Sequence, residues 1–154
     1  MIKQRLHDIS RKKLLLISCS ASKRNFRNKP AIEVYDGPAY RILRKYNAPN
    51  VDVLILSAKY GLIDSKKKIS NYDMKMTKEI AQQIRGPATR KLINVMNTHN
   101  YQDVHVNLGK TYQLAIDFNE LQLNKFNVYF NFGTIGVRLH NLKTWLTSEI
   151  WYNA

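Results

Sequence analysis

Residues 51–64 read VDVLILSAKYGLID, a nearly continuous apolar run that passes at once into small and polar residues. Such a run predicts a strand that is covered on both faces, as strands of a parallel sheet are. Three more short runs predict companion strands, namely KLLLIS at 13–18, DVHVN at 103–107 and FNVYF at 126–130. Because helical patterns alternate with these strands, we predict a three-layer α/β/α fold with a mostly parallel sheet of about four strands.

The segments between the strands have the spacing of amphipathic helices. One helix is predicted to begin at Pro38, one to be capped by Thr77, and one to begin near Gly109. The Gly86–Pro87 pair predicts an interruption of the second helix. The final helix is predicted to bury five apolar residues, Ile135, Leu139, Leu142, Trp145 and Leu146.

Length and composition indicate one folding unit. The 154 residues, of which 44% are hydrophobic, predict a single α/β domain over 1–154, with 1–10 as a helix or a loose arm. No segment approaches the roughly 20 apolar residues that cross a bilayer, so we expect no membrane partner. The one cysteine, Cys19, leaves no internal disulfide, which favours a cytoplasmic location.

The charge of the chain is strongly positive and unevenly distributed. Lysine and arginine number 25 and aspartate and glutamate 11, which gives a net charge of +14. Residues 1–90 contain 20 basic and 7 acidic side chains (+13), whereas residues 91–154 contain 5 and 4 (+1). This asymmetry predicts a basic face that binds nucleic acid, the alternative being a merely cationic surface.

Small and polar residues follow each predicted strand. Ligands of parallel sheets bind outside the carboxyl ends of the strands, so these four segments are expected to form one site. Eleven substrate-binding candidates come from the segments and their neighbours: Ser18, Ser20, Ser22, Lys23, Ser57, Lys59, Tyr60, Gly61, Tyr72, Asn107 and Gly109.

Each candidate type has a chemical reason and a structural alternative. Serine hydroxyls with Lys23 suit a phosphate, although the glycines of a nucleotide-binding P-loop are missing. Lys59 could bind a second phosphate, and Tyr60 or Tyr72 could stack on a base. Gly61 allows the backbone to adopt a positive φ. The alternative is an ordinary tight turn whose lysine and tyrosine side chains face solvent.

Carboxylates are the catalytic candidates. Asp73 ranks first because it follows a basic run, in which it stays ionised, and Asp64 and Asp36 are its competitors. Alternatively, each of these three carboxylates caps a helix or pairs with a basic side chain and has no catalytic role. The four histidines lack metal-ligand spacing, so neither a metal nor another cofactor is predicted.

Five segments together resemble a small bacterial and phage family, catalogued as domain of unknown function 6884: LISCSASK at 16–23, VYDGP at 34–38, LSAKYGLID at 56–64, ISNYD at 69–73 and GTIGVRL at 133–139. The resemblance spans roughly residues 13–146. Members commonly have histidine where this chain has Tyr60, which argues against an obligatory imidazole. The family is similar to uracil-DNA-glycosylase-like folds and to domains that accompany base-modification enzymes, which implies nucleobase chemistry.

The leading hypothesis is a DNA glycosylase-like hydrolase that cleaves the N-glycosidic bond of a modified base in DNA. The base would leave the stack for the pocket, where Asn107 reads its edge and Asp73 places water or stabilises positive charge on the sugar. By analogy the family implies antiviral defence. The alternatives are a non-catalytic nucleic-acid-binding module and a nucleoside (deoxy)ribosyltransferase. A transferase that acts on free nucleosides would not explain the net charge of +13 in residues 1–90. DNA is favoured over RNA, and the sequence does not set the oligomeric state.

Overall fold

The computed structural model describes residues 13–46 and 51–148, so the predicted arm at residues 1–10 lies outside the described part. The strands are β1 Lys13–Ser18, β2 Lys29–Pro30, β3 Val51–Ser57, β4 Gly61–Asp64, β5 Lys68–Ile69, β6 Asp103–Asn107 and β7 Asn127–Phe130. The helices are α1 Ala31–Val34, α2 Pro38–Lys45, α3 Lys78–Thr98, α4 Lys110–Gln113, α5 Phe118–Leu123 and α6 Ile135–Ser148.

Five strands form one sheet in the order β4-β3-β1-β6-β7, and β2 pairs with β5 in a separate two-stranded sheet. Strands β3, β1, β6 and β7 are parallel, and β4 pairs antiparallel with β3. The predicted mostly parallel α/β sheet is confirmed, but it has five strands where the sequence indicated about four. The missed strand, β4, follows β3 after only three residues, and its four residues resemble the end of a loop.

Residues of the central strands alternate between two apolar clusters, as side chains of a strand must. Leu14 and Leu16 belong to one cluster, together with Leu92 of α3. Leu15 belongs to the other, together with Trp145 of α6. Both neighbours of β1 also contribute to the core, so this strand is buried along its whole middle.

Helix α3 begins as predicted, with the Thr77 hydroxyl accepting a hydrogen bond from the Ile80 amide at 3.2 Å. The predicted interruption at Gly86–Pro87 is wrong, because one helix runs from Lys78 to Thr98 with Pro87 inside it. Both Gly86 and Pro87 are exposed, so water can satisfy the carbonyl that the proline leaves without a donor. A glycine before the proline also removes the Cβ that would oppose a helical conformation there.

Replacing Pro87 by alanine should therefore stabilise the fold. Alanine restores the missing hydrogen-bond donor and is favoured over proline inside a helix by about 3 kcal/mol. Part of this gain is offset because the unfolded chain becomes more flexible without proline. We expect Pro87→Ala to raise the free energy of unfolding in urea by about 1–2 kcal/mol, and an unchanged or lower value would show that the ring makes a stabilising contact.

Two predicted helices differ from the structure near the carboxyl ends of the strands. The helix expected near Gly109 is divided into the short α4 and α5, and Leu114 between them is partly exposed. Helix α6 buries Leu142, Trp145 and Leu146 as predicted, but Ile135 in its first turn is 68% exposed. The buried residues of α6 begin only at Asn141.

The chain moves from β1 to β3 on one side of the sheet and then to β6 on the other side of β1. A crevice at such a reversal of strand order, outside the carboxyl ends of the strands, is where open α/β sheets bind ligands. Here that point lies between β1 and β6. None of the helices in the described ranges is long and apolar enough to span a bilayer.

Candidate functional site

The loop that follows β1 is held by a serine. The Ser20 hydroxyl accepts hydrogen bonds from the amides of Asp36 and Gly37, both at 3.2 Å, and donates to the carbonyl of Ser22 at 2.6 Å. A Cβ at Gly37 would lie 2.9 Å from that of Ser20, so only glycine permits this approach. The predicted phosphate-binding hydroxyl of Ser20 is thus engaged in shaping the loop.

Ser57, at the end of β3, joins two loops and two tyrosines. Its hydroxyl accepts from the amides of Lys59 and Tyr60 at 3.2 and 3.1 Å, and lies 2.8 Å from the phenol oxygen of Tyr72. The Tyr35 phenol donates to the same hydroxyl at 3.4 Å and lies 2.6 Å from the Tyr72 oxygen. Ser57 is fully buried, and this network fixes the turn that presents Lys59 and Tyr60.

Two lysines from different loops lie against the same tyrosine ring. The Nζ atom of Lys23 is 4.5 Å from the ring centre of Tyr72, and that of Lys59 is 5.4 Å from it. The ring of Tyr60 meets Tyr72 edge-on with centres 5.4 Å apart. Gly61 then turns the chain with φ +72°, as the sequence predicted. We call Lys23, Ser57, Lys59, Tyr60 and Tyr72, with the buried Tyr35, the tyrosine–lysine cluster.

Burial keeps the tyrosines of this region protonated. It raises the pKa of Tyr35 to about 12, despite opposing hydrogen bonds from Ser57 and Tyr72. Burial also raises the pKa values of Tyr72, Tyr40 and Tyr112 well above their usual range. The Tyr112 oxygen lies 3.1 Å from the Sγ atom of Cys19, whose side chain is buried. These phenols therefore stay protonated at pH values at which an exposed tyrosine would ionise.

A pocket of about 190 Å³ opens at the reversal point between β1 and β6. We call it the crossover pocket. Its lining combines Asn107 and Arg138 with apolar walls and the loop after β1: Ile17, Ser18, Cys19, Ser20, Gly37, Pro38, Ala39, Tyr40, Ile135 and Leu139. The wall between the pocket and the tyrosine–lysine cluster contains the buried rings of Tyr40 and Tyr35, whose centres are 5.3 Å apart.

Three buried asparagines form a chain that begins at the crossover pocket, which Asn107 lines. Asn131 donates through Nδ2 to the Asn107 side-chain oxygen and to the carbonyl of Arg138, both at 2.9 Å. Asn141 donates to the side-chain oxygen of Asn131 at 3.1 Å. Because β6 and β7 are neighbours in the sheet, their carboxyl ends bring Asn107 and Asn131 together. We call these three residues the asparagine chain.

The three catalytic candidates occupy different surroundings. Asp36 pairs with Arg24 at 3.7 Å, with Arg41 at 3.4 Å and with Arg44. Desolvation opposes ionisation of Asp36, but hydrogen bonds and charges from Arg41 and Arg44 outweigh it, so its pKa lies below the usual value. Asp64 accepts a hydrogen bond from the Lys66 amide at 2.8 Å, which shapes a turn.

Asp73 differs from both of these residues. It is exposed, it directly follows Tyr72 of the tyrosine–lysine cluster, and within the described ranges its carboxylate has no ion pair or hydrogen bond. Of the three carboxylates, Asp73 is thus the one that is free to contact a ligand.

The remaining predicted residues play smaller parts. The carbonyl of Ser18 accepts from the Tyr40 phenol at 2.7 Å, and Ser22 is exposed. Gly109 precedes α4 and is not part of the crossover-pocket lining. In the part of the chain that the structure describes, no three histidine, cysteine or acidic side chains are grouped to bind a metal ion.

Sequence reasoning missed four residues of the region, Tyr35, Tyr112, Asn131 and Arg138. Tyr35 lies within the VYDGP segment at 34–38, and Asn131 directly follows the predicted strand at 126–130. Polar residues in a segment that follows a parallel strand were the available signal for Asn131. Nothing local distinguishes Tyr112 or Arg138, because helical packing brings them to the site.

Comparison with known proteins supports the family resemblance and the fold. The model of a family described as a family of unknown function (DUF6884) matches residues 14–144. The crystal structure of AF0587, a protein of unknown function, superposes with a TM-score of 0.55 at 12% identity, covering 94% of this chain and 47% of that one. This chain thus spans about half of that protein. No curated protein matches, and similarity to uracil-DNA-glycosylase-like folds stays a prediction.

Proposed function

Because the chain belongs to DUF6884, a family of unknown function, we propose a role from the site itself: the protein binds nucleic acid at the carboxyl edge of its sheet and accommodates an unstacked base there. One observation carries this proposal. Lys23 and Lys59 reach the Tyr72 ring from two separate loops, at 4.5 and 5.4 Å. Aromatic rings among cations are the combination that binds bases and the phosphates beside them.

The distribution of charge supports the same edge. The loops of the tyrosine–lysine cluster lie within residues 1–90, which have a net charge of +13. Exposed lysines at 66, 67 and 68 follow β4 and extend the positive surface next to that cluster, where Lys67 Nζ lies 6.0 Å from the Tyr60 ring centre. A transferase acting on free nucleosides would leave this surface without a role, so we favour a polyanionic partner, DNA before RNA.

We also infer a three-layer arrangement in which helices cover both faces of the sheet. In this arrangement a ligand binds at the carboxyl edge of the strands. The two apolar clusters contain alternate residues of β1 and β3, together with different helices. Helices over both faces would exclude a polymer from the faces of the sheet. Binding would then be confined to the loops at the carboxyl edge, in a cytoplasmic protein.

Binding should depend steeply on salt through the two lysines. On duplex DNA each neutralised phosphate contributes about −0.9 to the slope of log affinity against log salt concentration. The double variant Lys23→Ala/Lys59→Ala should therefore flatten that slope by about 1.8. Fluorescence anisotropy with a labelled duplex at several salt concentrations measures this change.

The matched control is Lys91→Ala/Lys143→Ala, which removes the same charge from exposed positions outside the cluster. It should leave the slope nearly unchanged. Equal effects of the two double variants would show that only overall charge matters, and would contradict a phosphate site at the tyrosine–lysine cluster. Absence of any DNA or RNA binding at low salt would overturn the proposed function.

A second candidate function is cleavage of the N-glycosidic bond of a modified base in DNA, as in antiviral defence, and the free carboxylate of Asp73 favours it. In that reaction the C1′–N bond breaks and the base leaves with the bonding electrons and takes up a proton. Water adds to C1′ and loses its proton. An unpaired carboxylate that directly follows Tyr72 in the chain could orient that water or stabilise positive charge on the sugar.

A further inference from the structure

The asparagine chain determines which end of the Asn107 amide faces the crossover pocket. Asn131 uses Nδ2 to donate to the Asn107 oxygen, and its own oxygen is occupied by the amide of Asn141. The oxygen of Asn107 therefore points toward Asn131, and its NH₂ group is left to face elsewhere. Asn107 is 8% exposed, lines the pocket, and has no hydrogen-bond partner for Nδ2 within the described ranges.

The second polar group of the pocket is also a donor. Arg138 lines the pocket, and its guanidinium makes no ion pair or hydrogen bond with any described residue. No acidic side chain contributes to the lining. The Ser20 hydroxyl is occupied by its own loop, and the Ser18 carbonyl by Tyr40. The Ser18 side chain follows Leu14 and Leu16 on the face of β1 opposite to Ile17, so its hydroxyl does not face the pocket. The free hydrogen-bonding groups that face the pocket from Asn107 and Arg138 are thus both donors.

We propose that the crossover pocket takes the keto edge of a nucleobase and discriminates against bases that present an amino group. That the base comes from nucleic acid rests on the proposed function, whereas the preference for an acceptor rests on the pocket alone. A keto oxygen, as at O6 of guanine or O4 of thymine, accepts from the NH₂ of Asn107 and from Arg138. An exocyclic amino group would place a donor against two donors and leave buried groups unpaired.

The size and walls of the pocket agree with a single base. Its volume of about 190 Å³ is below the roughly 300–1,000 Å³ of sites for larger ligands. Pro38, Ile135 and Leu139 supply apolar surface for the faces of a ring. Ile135 is 68% exposed, so a base that enters beside it would remove apolar surface from water.

Matched nucleotides test the preference. Inosine and adenosine 5′-monophosphates differ by a keto or an amino group at C6, and uridine and cytidine 5′-monophosphates differ in the same way at C4. Titration calorimetry with the full chain should show that the keto member of each pair binds with at least about tenfold higher affinity than the amino member. Equal affinities within both pairs, or tighter binding of the amino members, would overturn the proposal.

Two variants of Asn107 separate its role from a general effect on folding. Asn107→Asp keeps an oxygen that can accept from Asn131 but turns a second acceptor to the pocket, so the preference should shift toward the amino member of each pair. Asn107→Leu has no hydrogen-bonding group and should reduce the preference without reversing it. Circular dichroism confirms that each variant is folded, and an unchanged keto preference in a folded Asn107→Leu protein would contradict the assignment.

The outcomes distinguish this inference from the proposed function. Salt-dependent DNA binding together with equal affinity for keto and amino nucleotides would overturn the inference and leave the nucleic-acid role in place. Keto preference without any binding of DNA or RNA would overturn the nucleic-acid role. It would support the pocket as a site for a free nucleotide or base.

Discussion

Between pH 10 and pH 12 the free energy of unfolding should fall by about 2 kcal/mol on account of Tyr35 alone. Its pKa is raised by burial to about 12 in the folded protein, against an ordinary value of about 10 in the unfolded chain. The stabilisation is complete below pH 10. It is lost as the pH rises toward 12, because the unfolded chain loses the proton first. Tyr72, Tyr40 and Tyr112 shift in the same direction and should steepen this loss.

Urea unfolding at a series of alkaline pH values measures this prediction. Tyr35→Phe removes one of the titrating groups, so stability should depend less on pH in this variant, even though lost hydrogen bonds lower its stability at pH 8. Tyr46→Phe is the control, because a hydrogen bond from Lys143 lowers the pKa of Tyr46. That variant should retain the full alkaline loss. A Tyr35→Phe protein with the same pH dependence as the wild type would show that Tyr35 ionises without unfolding.

Asp73→Asn should lower release of a modified base from DNA about 100-fold, if the protein cleaves the glycosidic bond. This is the scale on which a well-placed group stabilises a transition state. Asparagine keeps the shape of the side chain and removes its charge. DNA binding should persist or become tighter, because a carboxylate near phosphates is repulsive. Base release, DNA affinity and melting temperature are measured on the same preparation.

Asp64→Asn is the matched comparison, since it makes the same chemical change in an exposed turn and can still accept from the Lys66 amide. It should retain base release. If a stably folded Asp73→Asn protein also retains full base release, Asp73 has no part in the reaction. If no substitution among Asp73, Asp64 and Asp36 matters, the non-catalytic binding function is favoured.

The sequence predicted the parallel part of the sheet well because buried strands leave apolar runs. Val51–Ser57 and Lys13–Ser18 pair over six residues, Lys13 with Val51 through Ser18 with Leu56. Two elements were not predicted correctly from short-range patterns, namely the uninterrupted helix α3 and strand β4. Gly86–Pro87 breaks many helices, yet an exposed position lets α3 continue through it. Strand β4 has too few residues for a pattern and depends on its pairing with β3.

The site was predictable in part for a related reason. Loops after parallel strands meet at one edge, and the loops after β1 and β3 bring Lys23 and Lys59 to the same Tyr72 ring. What each side chain does there depends on its neighbours, which a single sequence does not give. The sequence suggested that the Ser20 hydroxyl and the Asp36 carboxylate contact a ligand. In the structure the Ser20 hydroxyl shapes the loop after β1, and the Asp36 carboxylate pairs with three arginines.

The antiparallel pairing of β3 with β4 has a consequence for how this protein family can diversify. Lys59 and Tyr60 lie in a three-residue hairpin turn, in which Ser57 pairs with Gly61 across the two strands. An inserted residue there would slip the pairing and turn buried side chains of β4 toward solvent. The segments after β6 and β7 lead into helices and carry no such constraint. Changes of ligand preference in this scaffold should therefore accumulate around Asn107 and Asn131, while the length of the β3–β4 turn stays constant.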